Sequence, residues 1–366
     1  MPVSDLLVIG AGPAGIAAAV AAARQDIRVT LVDRGSFPRP KVCGGCLNAR
    51  GLSVLDRLGL SETLGDATDT HQFELAWSGR RMTAALPPGR AISRLAWDER
   101  MVAAARTAGV DVQTETTACV GDATAGGSRT VELTTAAGTV VHTTRLVAAA
   151  DGLTQSATRS VPALKTAISG GSRIGAGALL DDASDDWPCG TIAMATADTG
   201  YVGLVRVEHD RLNVAAAIDR DAVRGRSLAE ATAAILRDAG LPIPAAWHDA
   251  TWTGTPPLTR SAMSTAALGV GCLGDAAGYV EPFTGEGMTW ALAAGEAFGN
   301  ATPDYLADPD RLATHWPAAF RRVVSERQRV CQSLAWILKR PRLSRVVLPI
   351  ARPLVGPATR WMNRSV

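Results

Sequence analysis

A glycine-rich segment near the N-terminus has the spacing of a dinucleotide-binding turn. It reads Gly10-Ala11-Gly12-Pro13-Ala14-Gly15 and lies between the apolar, strand-like run Leu6–Ile9 and an alanine-rich helical stretch. In such a turn the first glycine permits a tight bend, the second lets the backbone approach a pyrophosphate, and the third lets the helix pack closely on the strand. The N–H groups at the start of the helix then face the phosphates. We therefore predict a dinucleotide site here.

A carboxylate follows at the position where this motif places a ribose ligand. Asp33 ends the next strand-like run, Ile27–Val32, 23 residues after Gly10. From there its side chain could accept hydrogen bonds from both ribose hydroxyls. The neighbouring Arg34 is a further candidate contact. The plainer alternative is a glycine-rich turn in an unrelated α/β protein, and the order of strand, helix and acid argues against it.

A second segment, Gly274-Asp275-Ala276-Ala277-Gly278, follows the apolar run Gly269–Leu273. A short carboxylate at the carboxyl end of a strand suits a polyol hydroxyl, and the alternative is that Asp275 caps a helix. The run Gly269–Gly274 also fits the dinucleotide pattern, but it lies within a strand-like run and Pro282 interrupts any following helix. No second dinucleotide domain is predicted.

A third glycine-rich loop precedes the predicted helix Gly287–Phe298. It consists of Pro282 and then Gly285-Glu286-Gly287. Backbone N–H groups at a helix N-terminus stabilise a group that gains negative charge. We include Met288 among the candidate contacts, although Met288 and Trp290 are residues that more often pack into a core. The alternative is a glycine turn that only shapes the loop.

The order of these segments, with Asp151-Gly152 between them, resembles the superfamily of FAD-dependent aromatic hydroxylases and geranylgeranyl reductases. The resemblance spans roughly residues 5 to 300. It implies that FAD is the cofactor, that Asp275 holds the ribityl chain, and that the third loop faces the pyrimidine edge of the flavin. Asp151 would support FAD or a passing nicotinamide cofactor, or form a surface turn. One extra residue precedes Ser156 and leaves its family role open.

Arg94 matches the family position that reaches FAD, and the alternative is that it pairs with acids of the helix that follows. The loop Cys43-Gly44-Gly45-Cys46 resembles the Cys-Gly-Gly segment of geranylgeranyl reductases. The resemblance implies that Cys43, Gly44, Gly45 and Pro282 line the flavin and that Cys46 contacts it. Two alternatives stay open: a redox dithiol, which needs a thiolate of low pKa, and a zinc site, which needs about four ligands.

The resemblance also bounds the chemistry. Without a separate nicotinamide domain, NAD(P)H would bind transiently as the reductant. We predict an FAD-dependent monooxygenase acting on a hydrophobic aromatic or polyketide-type small molecule, with alkene saturation in an isoprenoid or lipid as the alternative. Tyr201 follows Gly200 as in the substrate motif of geranylgeranyl reductases, but the tryptophan and proline of that motif are missing. The halogenase Trp-x-Trp-x-Ile-Pro segment is missing too, so a halogenase or a non-enzymatic FAD-binding protein is less favoured. No acid–base residue is assigned.

Composition excludes several classes of protein. The chain has 366 residues, 47% of them hydrophobic and 20% charged, as in ordinary α/β enzymes. Six scattered cysteines form no disulfide framework, and five histidines show no metal-binding spacing. Residues 317–366 hold 11 Arg or Lys and one acid, so the rest of the chain is acidic and a nucleic-acid partner is disfavoured. We expect a cytoplasmic protein of open oligomeric state, with the basic C-terminal segment contacting a membrane surface or packing on the FAD domain.

The predicted fold is α/β: a Rossmann-like FAD-binding domain, an interleaved, mostly antiparallel β-sheet substrate domain and a C-terminal helical segment. Residues 1–71, 91–165 and 255–320 are assigned to the FAD-binding domain. Residues 72–90 and 166–254 are assigned to the substrate domain, and 321–366 to the basic C-terminal helical segment. Beyond the first turn, helices are predicted at Leu52–Leu58, Asp98–Ala108, Leu228–Ala239, Gly287–Phe298 and Pro317–Leu338.

Overall fold

The computed structural model describes residues 4–124, 128–181, 186–281, 285–326 and 328. The α-helices in these ranges are α1 (Pro13–Ala23), α2 (Ala49–Arg57), α3 (Arg94–Thr107), α4 (Leu228–Ala239), α5 (Gly287–Ala307) and α6 (Pro309–Phe320). The predicted fold class is confirmed. A Rossmann-like layer and a mostly antiparallel sheet lie on either side of a deep cavity.

The Rossmann-like layer is a six-stranded sheet. Its strands, in spatial order, are Ala266–Ala267, Val270–Cys272, Leu146–Ala149, Leu6–Ile9, Val29–Val32 and Asp111–Gln113. All neighbouring pairs are parallel except the first, which is a short hairpin. The central strand Leu6–Ile9 is buried along its whole length because helices cover the sheet, which explains its unbroken apolar sequence.

The alanine-rich composition of α1 follows from its packing against α5. A Cβ added to Gly295 of α5 would lie 2.2 Å from the carbonyl oxygen of Ala14, and one added to Gly299 would lie 2.5 Å from that of Ala18. Only small side chains permit so close an approach of two helices. This contact fixes the N-terminus of α1, where the first glycine-rich turn lies.

The second large sheet has eight strands. In spatial order they are Thr253–Pro257, Ile174–Leu180, Leu212–Ile218, Gly200–Arg206, Thr191–Ala197, Thr68–Trp77, Arg80–Ala91 and Cys46–Leu47. Its pairs are antiparallel apart from Thr191–Ala197 with Thr68–Trp77. Helix α4 covers one face; a capping box between Ser227 and Glu230 begins it, and Gly240 ends it in the left-handed conformation. The other face is turned toward the cavity.

Two three-stranded sheets complete the described strands. One contains Thr117–Ala123, Arg129–Thr135 and Gly138–Thr144, and the other contains Thr166–Ile168, Arg260–Ala262 and Gly278–Tyr279. The second of these holds the segment that follows Asp275. Its strand Gly278–Tyr279 pairs with Arg260–Ala262.

The C-terminal helices differ from the prediction. Helix α5 runs to Ala307 rather than to Phe298 and contains Pro303, and Pro317 lies inside α6 rather than in a first turn. Packing of Trp316 and Phe320 against the core stabilises α6 despite the internal proline. Nearly all of the predicted basic segment, and with it the predicted membrane contact, lies outside the described residues. Among the residues described, none of the helices is both long and apolar enough to cross a bilayer.

Candidate active site

A cavity of about 660 Å³ separates the carboxyl ends of the Rossmann-like strands from the face of the eight-stranded sheet opposite α4. The segments Gly10–Gly15 and Gly274–Gly278 both open into the cavity, because the strands that precede them are parallel and end at the same edge of the sheet. The cavity brings together most of the predicted site residues. These are Gly10, Gly12, Pro13, Ala14, Asp33, Arg34, Cys43, Gly44, Cys46, Arg94, Asp151, Gly274, Asp275, Gly285, Gly287 and Met288.

The first turn depends on the absence of side chains. Gly10 has a φ of +105°, and a Cβ there would lie 2.4 Å from the carbonyl oxygen of Ala150. Gly15 does not line the cavity; a Cβ there would lie 1.9 Å from the carbonyl oxygen of Gly10. Gly12 thus lies at the cavity and Gly15 inside the turn, and these positions are compatible with the separate roles that the sequence predicts.

Asp33 is buried beside the turn and organises it. Its Oδ2 accepts hydrogen bonds from the Ala11 amide at 2.8 Å and from Nη2 of Arg39 at 3.0 Å. Its Oδ1 accepts one from the Gly35 amide at 2.8 Å. The carboxylate thus borders the cavity and also holds the chain around it, while Arg34 is exposed at the rim.

Arg94 forms an ion pair within helix α3 and also lines the cavity. Its guanidinium forms a two-point ion pair with Asp98, at 2.5 and 2.7 Å, inside helix α3. Its Nη2 also lies 3.6 Å from the point where a Cβ on Gly12 would stand, and it hydrogen-bonds Cys43. Burial is the largest influence and disfavours the charge, but Asp98 and Cys43 together outweigh it and raise the pKa of Arg94. A fixed positive charge therefore lies under the first turn.

Asp275 is surrounded by three cations, of which the sequence indicated only Arg94. Burial raises the pKa of its carboxyl, and Lys41, Arg94 and Arg260 act in the opposite direction. Burial, followed by the charge of Arg94, lowers the pKa of Lys41. Lys41 precedes the cysteine loop by two residues, so a basic residue next to that motif was the available signal. No sequence signal indicated Arg260, because only the pairing of its strand with Gly278–Tyr279 brings it to the site.

Asp151 lines the cavity, and its carboxylate is bonded to the loop that follows it. Its Oδ2 accepts from the Ala157 amide at 2.9 Å and from Oγ of Ser156 at 3.4 Å. Its Oδ1 is buried and has no hydrogen-bond partner in the described part of the chain. Burial raises the pKa of this carboxyl. Arg159, which follows Ser156 in the family pattern, is exposed and does not line the cavity.

The cysteine loop forms part of the cavity wall. Cys43 and Cys46 are free, and Nδ2 of Asn213 donates to the Cys43 carbonyl at 2.9 Å, which ties the loop to the eight-stranded sheet. Burial raises the pKa of Cys46 to about 12, so this residue is a neutral thiol near pH 7 and does not suit a dithiol of low pKa. Gly45 lies behind the wall, with a φ of +71°.

The third glycine-rich loop lies next to the cysteine loop. Gly285, with a φ of +76°, and Gly287 line the cavity at the start of α5, and a Cβ on Gly285 would lie 3.5 Å from Cβ of Cys46. Glu286 differs from the prediction, because its carboxylate accepts from Nδ2 of Asn48 at 3.2 Å and does not line the cavity. Met288 is 3% exposed and contacts both the cavity and the core. Pro282 lies outside the described residues.

These features fit FAD. The N-terminus of α1 and the charge of Arg94 suit a diphosphate, and the carboxyl of Asp275 suits a hydroxyl donor. The remaining wall, on the eight-stranded sheet, is apolar. It includes Phe73, Leu75, Met82, Met194 and Leu258. The cavity therefore has one side suited to a nucleotide and one suited to a hydrophobic molecule.

Comparisons with known proteins agree with an FAD site. The model of a family described as an FAD binding domain matches residues 3–298. The menaquinone reductase of Mycobacterium tuberculosis is 29% identical over 390 residues, which cover 99% of this chain and 90% of that protein. The menaquinone reductase of Mycolicibacterium smegmatis is 28% identical over 403 residues, which cover 99% and 92%.

Solved structures show the same fold at low sequence identity. A flavin-dependent brominase has a TM-score of 0.80 at 17% identity, covering 98% of this chain and 93% of that one. The p-nitrophenol 4-monooxygenase of Pseudomonas putida has a TM-score of 0.76 at 17% identity, covering 98% and 95%. At this identity the likeness concerns the fold alone.

Proposed function

This chain belongs to the family defined by the FAD binding domain and is an FAD-dependent oxidoreductase, and from that premise we propose that it reduces a hydrophobic isoprenoid quinone of the menaquinone type by saturating an alkene of the isoprenoid chain. The observation that carries the proposal is the place of the loop Cys43–Cys46. It lies in the cavity between the cofactor segments and the apolar sheet, where it can contact both a flavin and a lipid. Relatives named as menaquinone reductases, matched along almost the whole chain, support the substrate class.

Each wall of the cavity has a distinct task in this reaction. When bound, FAD supplies two-electron transfer between NAD(P)H, the reductant typical of this family, and the substrate. Arg94 and Lys41 provide positive charge for the diphosphate, and Asp275 orients the polyol chain. The N–H groups at the start of α5 stabilise negative charge at the adjoining ring edge. The apolar sheet face binds the isoprenoid chain and excludes water.

The monooxygenase that the sequence favoured remains a second candidate. The observation in its favour is the apolar lining of the cavity, which suits an aromatic molecule as well as an isoprenoid chain. We place it second because the relatives matched along the full chain carry the reductase name, whereas the monooxygenase likeness concerns the fold. Halogenation ranks lower still, since the tryptophan- and proline-containing segment typical of halogenases is missing from the sequence.

The two candidates differ in their products. The purified flavoprotein is reduced without oxygen by NADPH or dithionite, given a short-chain menaquinone, and the product is analysed by mass spectrometry. We expect two added hydrogens in the isoprenoid fragment. An added oxygen atom in air would identify a hydroxylase instead, and a change confined to the quinone ring would contradict alkene saturation.

A pair of cysteine variants tests the observation behind the proposal. Cys43→Ala should lower the rate of alkene reduction at least tenfold. The control Cys119→Ala changes an exposed cysteine of the strand Thr117–Ala123 that does not itself line the cavity. Its rate should equal that of the wild type. Equal rates in both variants would remove the loop from the reaction.

A further inference from the structure

Tyr279 places a hydroxyl group in the apolar part of the cavity. Its backbone is held in the short strand Gly278–Tyr279, opposite Arg260. Its side chain packs with the cluster that contains Leu75, Met82 and Met194 and lines the cavity. No described residue forms a hydrogen bond with its hydroxyl. The hydroxyl is therefore open to the cavity and available to a molecule bound there, as the polar end of a largely apolar side chain usually takes a hydrogen-bond partner.

The position of Tyr279 lies between the two halves of the site. The groups that act on its ionisation include Asp275 and Cys43 on the cofactor side, and Tyr201 and Glu281 on the side of the eight-stranded sheet. Burial, the largest influence, raises the pKa of the phenol well above its ordinary value. The hydroxyl therefore keeps its proton at any physiological pH and can donate a hydrogen bond.

The other polar groups on this wall are less suited to bind a ligand. Oγ1 of Thr255 accepts from the Gly175 amide at 2.8 Å and donates to the Pro256 carbonyl at 2.8 Å. Tyr279 lies beside the apolar side chains of Leu75, Met82 and Met194 and near the polar Tyr201. A substrate that entered this part of the cavity would meet the Tyr279 hydroxyl next to this apolar surface.

We propose that Tyr279 is a specificity-determining residue that donates a hydrogen bond to a carbonyl oxygen of the substrate and thereby selects the quinone head of a hydrophobic molecule. The inference rests on the proposed function and deepens it, because it names the atom of the substrate that the protein recognises. When an analogue without the oxygen binds, the tyrosine donor is left without an acceptor, which weakens binding of that analogue. An unsubstituted isoprenoid hydrocarbon should therefore bind less tightly than the quinone.

Binding to the oxidised holoprotein tests this inference without turnover. Tyr279→Phe removes the hydroxyl and keeps the ring. The two probes are a short-chain menaquinone and the matching prenylated naphthalene, which lacks both oxygens, and binding is followed by the change in flavin absorbance. We expect the Kd of the quinone to rise at least tenfold in the variant and the Kd of the hydrocarbon to stay the same. Flavin content and the thermal midpoint verify that the variant is folded.

Tyr305→Phe is the matched control. The hydroxyl of Tyr305 hydrogen-bonds Nδ1 of His315 at 2.9 Å, away from the cavity, so its loss should leave both dissociation constants unchanged. An unchanged Kd of the quinone in Tyr279→Phe, or equal weakening of both probes, overturns the inference, even if the wild type reduces the quinone. A selective loss of quinone binding supports it, even if no reduced product forms and the proposed function fails. Failure of the wild type to bind either probe overturns both.

Discussion

The two walls of the cavity are built by different means. The cofactor wall, formed by the loops at the carboxyl ends of the Rossmann-like strands, consists of backbone in close contact and of paired charges. Added Cβ atoms at Gly10 and Gly15 would lie 2.4 and 1.9 Å from carbonyl oxygens. The substrate wall, formed by the eight-stranded sheet, is made of apolar side chains; an added Cβ at Gly203 would lie 3.4 Å from Cε of the flexible Met194.

This difference shows which wall can change without loss of the fold. Contacts between backbone atoms cannot relax, so the cofactor wall tolerates few substitutions. A wall of methionine and leucine side chains adjusts to new shapes at little cost. We therefore expect specificity for the substrate to vary on one wall while FAD binding is kept by the other. Three sets of variants test this contrast, in order of decreasing effect.

The ion pair under the first turn should give the largest effect. Arg94→Leu leaves the buried carboxylate of Asp98 without its partner, and we expect the free energy of unfolding to fall by about 3–5 kcal/mol. In the double variant Arg94→Leu/Asp98→Leu stability should largely return, whereas FAD binding should not. Urea denaturation and titration of the apoprotein with FAD measure the two quantities.

The surface pair Arg57–Glu296 provides the control for this set, because the side chain of Arg57 is 53% exposed. Arg57→Leu should change stability by less than about 1 kcal/mol. If FAD affinity recovers together with stability in the double variant, Arg94 acts only as a structural residue and the cofactor wall is less specialised than the contrast requires.

A methyl group inside the first turn should give an intermediate effect. Gly15→Ala forces the backbone of the turn apart, and we expect a loss of about 1–3 kcal/mol in stability together with the loss of bound flavin. Flavin absorbance per protein and thermal denaturation report both losses. Gly170→Ala is the control, since nothing lies within 4 Å of an added Cβ there. Normal flavin content in Gly15→Ala would show that the turn can relax.

The smallest effect is expected on the substrate wall. Met194→Leu keeps nearly the same volume but changes the shape of the apolar face, so KM for the hydrophobic substrate should change only several-fold. The Kd of FAD and the thermal midpoint should stay at the wild-type values, as steady-state kinetics and FAD titration can establish. A change in FAD affinity as large as that in KM would erase the distinction between the walls.

The parts of the site next to sequence motifs were predictable. The turn Gly10–Gly15, Asp33 and the segment Gly274–Gly278 each follow a strand of apolar residues, and strand, turn and helix are local patterns. Arg94 was recognised as a residue with two possible roles; the structure shows its ion pair with Asp98 and places it at the cavity, and its contact with FAD stays a prediction. Glu286 was assigned to the cofactor by its place in a motif, yet its side chain bonds Asn48, because the direction of a side chain depends on packing.

The sequence by itself determined the fold class, the FAD cofactor and the strands that carry the glycine-rich turns, since these depend on residue type and short-range spacing. Only the tertiary structure decided that Lys41, Arg260 and Tyr279 meet at Asp275. Lys41 comes from a loop far from Asp275 along the chain, and the pairing of the strands Arg260–Ala262 and Gly278–Tyr279 brings Arg260 to the same place. The substrate wall was decided in the same way, because apolar residues on a strand look alike in sequence whether they face a core or a cavity.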